Sequence, residues 1–398
     1  MKPLEGIRVL DLSRVLAGPW CTQLLADMGA DVIKIERPGE GDDTRHWGPP
    51  WAGEGDGEVA AYFLAANRGK RSAAIDFAKP EGAALVRALA AKADVVVENF
   101  KVGGLAKFGL DAATLRAAHP RLIVASITGF GQDGPYAARA GYDYIIQGMS
   151  GFMSITGRPD GEPGGGPMRA GVAVVDLFTG LVTANAILAA LVRRSVSGEG
   201  AHIDSALFDT SLALLANQAS NYLASGREPG RQGVGHPNLV PYQPFETADR
   251  PLIIAVGNDR QFARLADLLG APEWAGDARF ATNPARVAHR TTLVPLIEER
   301  LRQRSALEWS ALLDAAGIPA GPINGIAQAL ADPQAVHRGM VAELGGYRMP
   351  ASPVRMDEER LQSTLPPPRL GEHTEAVLAD LGTDAEEIAA LRQSGVIG

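Results

Sequence analysis

One cysteine, Cys21, stands in 398 residues. That scarcity excludes an intramolecular disulfide framework and any zinc site built on cysteines, and it suits a reducing cytoplasm. Histidine is scarce too: the seven are scattered and no HExxH pair occurs, so no metal centre is predicted. Basic charge is not in excess. A net charge of −8 argues against a nucleic-acid partner, although a local basic patch can still hold a phosphate-bearing ligand. The longest apolar tract, residues 181–192, carries Thr183 and Asn185 and falls short of a bilayer span. The opening residues hold no long apolar segment, so neither a signal peptide nor a membrane partner is expected.

What is present is a globular composition, 46% apolar and 21% charged. The length exceeds one ordinary core. Strand-like runs at Arg8 to Leu12, Asp31 to Glu36, Asp94 to Glu98 and Leu122 to Ser126 alternate with helical patterns at Pro19 to Met28 and Glu81 to Lys92. Short β-branched runs separated by helices predict an α/β domain with a Rossmann-like parallel sheet covered on both faces. A dinucleotide fingerprint is missing after the first strand, and Gly69-Lys70 lacks the rest of a phosphate loop. Residues 201–225 read as one long helix, with Ile203, Leu207, Leu212 and Leu215 as its apolar stripe. The layout predicted is a large domain over 1–225, a smaller α+β domain over 226–330, and a segment over 331–398 that returns to the large domain. That last segment is too small to fold alone.

Chemistry concentrates at Gly171-Val-Ala-Val-Val-Asp176 and, some thirty residues earlier, at Gly141-Tyr142-Asp143. A carboxylate flanked by Val175 and Leu177 is poorly solvated, and must be paired, protonated or chemically employed. Spacing alone favours a plainer role, with Asp176 as the N-cap of the apolar helix that follows.

Several motifs in order resemble the type III CoA-transferases, the CaiB/BaiF family. They are Leu10-Asp-Leu-Ser-Arg-Val-Leu-Ala-Gly-Pro19, Asp31-Val-Ile-Lys-Ile-Glu-Arg-Pro38, Asn67-Arg-Gly-Lys-Arg-Ser72, Val97-Glu-Asn-Phe100, Gly141-Tyr-Asp143, Asp176 and Gly371-Glu-His-Thr374. The likeness is greatest to the branch that exchanges CoA between succinyl-CoA and glutarate, through Gly41-Asp-Asp-Thr-Arg45, Trp47-Gly-Pro-Pro50, Val240-Pro-Tyr-Gln243 and Gly321-Pro-Ile-Asn324. This resemblance implies an interlocked homodimer whose substrates are an acyl-CoA and a small carboxylic acid, with no permanently bound cofactor. It implies that Asp176 is the nucleophile, forming an acyl–aspartyl anhydride and then an aspartyl-CoA thioester. It also implies CoA contacts from Val15, Leu16, Ala17, Arg37, Ile75, Asn99, Phe100, Lys107, Tyr142 and Asp143. An incoming dicarboxylate needs a guanidinium for its distal end, and Arg45 and Arg169 are the candidates.

Two departures narrow the branch. Tyr142 stands where the racemases of this family carry histidine, and a phenol is a poor proton shuttle at neutral pH, so transfer is favoured over 2-methylacyl-CoA racemisation. Leu16 replaces the glutamine of formyl-CoA transferases, and their glycine run is missing. A catalytically silent CoA-binding protein is the remaining alternative, against which Asp176 itself counts.

Overall fold

The computed structural model describes residues 1–53, 55 and 58–398. Glu54, Asp56 and Gly57, in the tryptophan-bearing loop 38–57, lie outside the described residues. The chain forms two compact units, one comprising residues 1–152, 170–224 and 333–398, the other 153–169 and 225–332. Segment 153–169, expected in the large domain, thus belongs to the second unit. Its hairpin pairs Gly157 with Pro167 and Arg158 with Gly166, which gives this short excursion a partner of its own.

Six strands build the sheet of the first unit: β1 Arg8–Asp11, β2 Asp31–Glu36, β3 Lys70–Ala74, β4 Val95–Glu98, β5 Ile123–Thr128 and β6 His202–Ala206. They are ordered β6-β5-β4-β1-β2-β3, and every pairing is parallel. Alternate residues feed two apolar layers. Val9, Val95, Val97 and Ile123 face one way, joined by Cys21 and Leu25 of α1 (Ala17–Asp27). Leu10, Ile33, Val96 and Val124 face the other, under Val86 and Leu89 of α2 (Pro80–Ala91). The C-terminal tail closes this second layer: Val377, Leu378 and Ile397 are buried there, and Ile397 bridges Ile75. Burial of each such side chain contributes about 1.5–3 kcal/mol.

The long helix expected over 201–225 is corrected. Its first residues are β6, followed by α5 (Leu207–Leu214) and α6 (Ala216–Ser225). Ile203 and Leu207 suit either period, and it is the open edge of β5, pairing from His202 to Ala206, that selects strand.

Between β5 and β6 come α3 (Asp143–Met149) and α4 (Val174–Ser197). Among the described residues α4 is the one helix long and apolar enough to cross a membrane. Here its Val175, Ala184, Ile187 and Ala190 are core residues packed against the sheet. The second unit carries an antiparallel sheet, β7 (Tyr242–Phe245), β8 (Leu252–Ala255) and β9 (Ala320–Pro322), with its own apolar core around Phe262, Leu265, Leu293 and Trp309.

Candidate active site

A sheet ordered 3-2-1-4-5-6 reverses direction between its first and fourth strands, and ligands bind at that point beyond the strand C-termini. In this protein the connections leaving β1 and β4 open a cavity of about 380 Å³ there. Val15, Leu16 and Ala17 from the first connection, Asn99 and Phe100 from the second, Tyr142 and Asp176 all line it. The Asn99 side chain holds the two connections together, accepting from the Arg14 N–H at 2.9 Å and donating to the Arg14 carbonyl at 2.6 Å. Arg14 and Phe100 also line a neighbouring cavity of about 300 Å³, where Arg37 sits, ion-paired with Glu40 at 3.0 Å.

Asp176 is placed by two close approaches. One turn further along α4, Gly180 lies against the backbone of α1: a side-chain carbon there would come within 2.5 Å of the Ala17 carbonyl oxygen. Only a residue without one permits this crossing. Asp176 shares the face of Gly180 by helical spacing, so it is presented beside Ala17. The second approach is between Gly129, just after β5, and Gly141, whose backbones meet too tightly for any side chain. That contact sets Tyr142 and Asp143 at the start of α3.

The capping role expected of Asp176 falls to Asp143. Helix α4 begins at Val174 with Ala173 as N-cap and no side-chain cap there, which puts Asp176 at the third helical position. Asp143 reaches over from α3 and its carboxylate accepts from the N–H groups of Val175 and Asp176, at 2.8 and 3.2 Å. Gln147 donates to the same carboxylate and accepts from the Ala170 N–H at 2.9 Å. Asp143 is buried, does not line the cavity, and holds the helix end. Burial and the adjacent Asp143 charge push the Asp176 carboxyl up to about 7. A carboxylate so placed is desolvated and poised near neutrality, which suits a nucleophile.

Other residues expected at the site fall elsewhere. Ile75 is 1% exposed inside the apolar core and presents no side chain to either cavity. Lys107 is exposed on a 3-10 turn, its ammonium over the Phe108 ring. Arg169 belongs to the second unit. Arg45 is corrected outright. It is 8% exposed, its guanidinium forks onto both oxygens of Glu36 at 2.7 and 2.8 Å, two further N–H groups go to the Pro368 carbonyl, and it stacks on Phe63. The fork that would grip a substrate carboxylate is taken by Glu36, and Arg45 lines neither cavity. Arg45→Met should therefore cost about 3–5 kcal/mol of stability by stranding a buried Glu36, read as a lowered urea midpoint. Diacid and monoacid acceptors should suffer alike in any activity that survives.

Three residues of the site go unmarked in the sequence. Arg14 and Arg139 line the main cavity. Tyr62 lies close enough to Asp176 and Asp143 that burial and their two charges raise its phenol, and Trp47 packs edge-on against it at 5.2 Å. An isolated tyrosine in an Ala-Ala-Tyr-Phe-Leu run carries no signal of this kind.

The pattern that defines CoA-transferase family III matches residues 4–374. The chain belongs to this family. A succinate–glutarate CoA-transferase of Agrobacterium fabrum is 55% identical over 388 residues, covering 96% of each chain. The human succinyl-CoA:glutarate CoA-transferase is 41% identical over 403 residues, all of this chain and 90% of the human one. A crystal structure of a CaiB/BaiF family protein from Brucella suis superposes with a TM-score of 0.84 at 53% identity, covering 96% of this chain and 99% of that one. The protein is thus a CoA-transferase whose substrates are CoA thioesters and carboxylic acids, built on the α/β fold of its family.

Proposed function

We propose that this CoA-transferase moves CoA from succinyl-CoA to a small dicarboxylic acid such as glutarate, with Asp176 as the covalent relay. The observation that carries this reading is Asp176 itself, a half-buried carboxylate lining a cavity whose other walls are the connections leaving β1 and β4. The carboxylate attacks the thioester carbonyl, giving a mixed anhydride and releasing CoA thiolate. The thiolate attacks the aspartyl carbonyl of that anhydride, so succinate leaves and an aspartyl-CoA thioester remains. The acceptor carboxylate then displaces the thiolate, forming a second anhydride. Return of the thiolate to the acceptor acyl carbon releases the new acyl-CoA and regenerates Asp176. Partial burial of Asp176 limits the water that reaches both anhydrides.

In this reading the CoA chain follows Val15 to Ala17, Asn99 and Phe100, and Arg37 serves its phosphates. Tyr142, 60% exposed at the cavity wall, donates its hydroxyl to the acyl group. A homodimer is part of the proposal, supported by apolar side chains such as Val192, Val196 and Leu223 that are exposed in the single chain, and so is a cytoplasmic location. Light scattering of the active enzyme should give twice the chain mass.

The test is a screen of acceptors against succinyl-CoA. Glutarate and related diacids should be preferred to butyrate. Preference for monoacids by the wild-type enzyme would leave only CoA transfer in general. Deuterium uptake at the α-carbon of 2-methylacyl-CoA would point to racemisation instead.

A further inference from the structure

Behind the cavity wall lies a buried ionic cluster that the transfer chemistry does not use. Asp11 at the end of β1, Lys34 in β2, Lys70 in β3 and Asp42 beyond β2 are each 0–1% exposed. Lys34 pairs with Asp42 at 2.9 Å, and Lys70 with Asp11 at 3.0 Å. Buried pairs of this kind add little net stability, because desolvation offsets their attraction. Their consequence is better sought in what their remaining hydrogen bonds hold.

Those bonds converge on one short stretch of backbone. Lys34 Nζ donates to the Ser13 carbonyl at 2.8 Å, and Asp42 Oδ1 accepts from the Val15 N–H at 3.3 Å. Asp11 accepts from the Ser13 N–H at 2.9 Å, and Lys70 donates to the Pro19 carbonyl at 3.0 Å. The stretch so held includes Val15, Leu16 and Ala17 of the cavity wall. Val15 has φ of 71°, in the left-handed region where a β-branched residue is an outlier. Such a conformation persists only where the surroundings impose it. In this protein the imposing groups are buried charges that do not line the main cavity.

We propose that the Lys34–Asp42 pair is a positioning element for acyl-CoA, fixing the Ser13-to-Ala17 loop in its ligand-binding shape before ligand arrives. The inference rests on the reading that CoA occupies this cavity. Neither residue lines the main cavity; both border the neighbouring one, where exposures of 0% and 1% leave them almost no surface for a ligand, so the loop is their route to it. Preorganisation of this kind strengthens binding by removing the cost of ordering the loop. It predicts an effect on CoA affinity without a matching effect on the chemical step.

Two double variants separate the hydrogen bonds accepted by Asp42 from the charges. K34M/D42N removes both charges but keeps an acceptor for the Val15 N–H. K34M/D42L removes the acceptor as well, for the Thr44 N–H and hydroxyl as for the Val15 N–H, and both avoid stranding a single buried charge. Calorimetry with CoA should show K34M/D42N binding at least about tenfold more tightly than K34M/D42L, the scale of one lost hydrogen bond. The KM for succinyl-CoA should follow, with kcat at saturation and the KM for glutarate the same in both. Equal CoA affinity in the two variants, or a fall in kcat with unchanged affinity, would overturn the proposal. Hydrogen exchange on the wild-type protein without CoA gives a reading that needs no variant. The Ser13 and Val15 amides should be protected like those of β1, and exchange as fast as in exposed loops would also overturn it. F100A serves as the control for the site. If it leaves CoA binding intact, CoA does not use this cavity and both readings fall. If it weakens binding while the two doubles remain equal, positioning alone is wrong.

Discussion

Asp176→Asn should abolish CoA transfer and, at the same pH, make the protein more stable. Loss of the nucleophile removes the covalent route altogether, so turnover should drop by at least about 10⁴-fold, as for other residues that form the intermediate. CoA binding should survive, since the other cavity walls are untouched. The stability gain follows from the raised carboxyl. Its folded value is pushed up to about 7 from an ordinary 3.8 by burial and by Asp143. Between those limits the folded chain holds a proton that the unfolded chain has released, so stability falls as pH rises through that window. Above pH 7 the full cost is present, on the order of 3 kcal/mol once partial exposure is allowed for. Asparagine is a neutral near-isostere of the protonated acid and escapes this cost. Urea midpoints should therefore separate wild type from variant at pH 8 and converge near pH 4. Equal midpoints at both values would mean that Asp176 is not a strained carboxylate. Residual turnover within a hundredfold of wild type would reject the anhydride route.

Legibility in the sequence follows the range of the forces involved. Strands β1, β2, β4 and β5 announce themselves as short β-branched runs because both faces of a parallel sheet are buried, whereas β3, with no β-branched residue, gives no such signal. Strand β6 reads as helix because Ile203 and Leu207 fit both periods, and only the unpaired edge of β5, far away in sequence, decides. The site shows the same division. Asp176 is legible as a carboxylate in apolar surroundings, and the loops around Val15 and Asn99 through their resemblance to the family. Arg45 misleads because an arginine beside tryptophans looks available, whereas Glu36 and the Pro368 carbonyl, from the other end of the chain, consume it. Tyr62 and the cap from Asp143 are invisible for the same reason. Both are relations across space between helices, and local spacing carries no trace of them.

Substitutions at Asp143 should separate geometry from charge, with opposite signatures. Asp143 does two things to Asp176: it accepts the N–H groups that open α4, fixing where that helix begins, and its charge raises the Asp176 carboxyl. Asp143→Asn keeps an acceptor oxygen and removes the charge. Since transfer needs the Asp176 carboxylate, kcat/KM in wild type should climb with pH up to about 7 and then level. In the asparagine variant that rising limb should move to lower pH, so activity at pH 5.5 falls less, relative to its plateau, than in wild type. Asp143→Ala removes the charge too, so its limb should move the same way. It also leaves the Val175 and Asp176 amides without their acceptor, a capping loss of about 1–2 kcal/mol. With α4 no longer anchored, the nucleophile drifts from attack geometry, and the plateau should fall by about a hundredfold. Pre-steady-state formation of the aspartyl-CoA thioester, followed across pH for both variants, is the measurement. An unmoved limb in both would show that the two carboxylates are not coupled. Equal plateaus in the alanine and asparagine variants would show that the hydrogen bonds to α4 do not position the nucleophile.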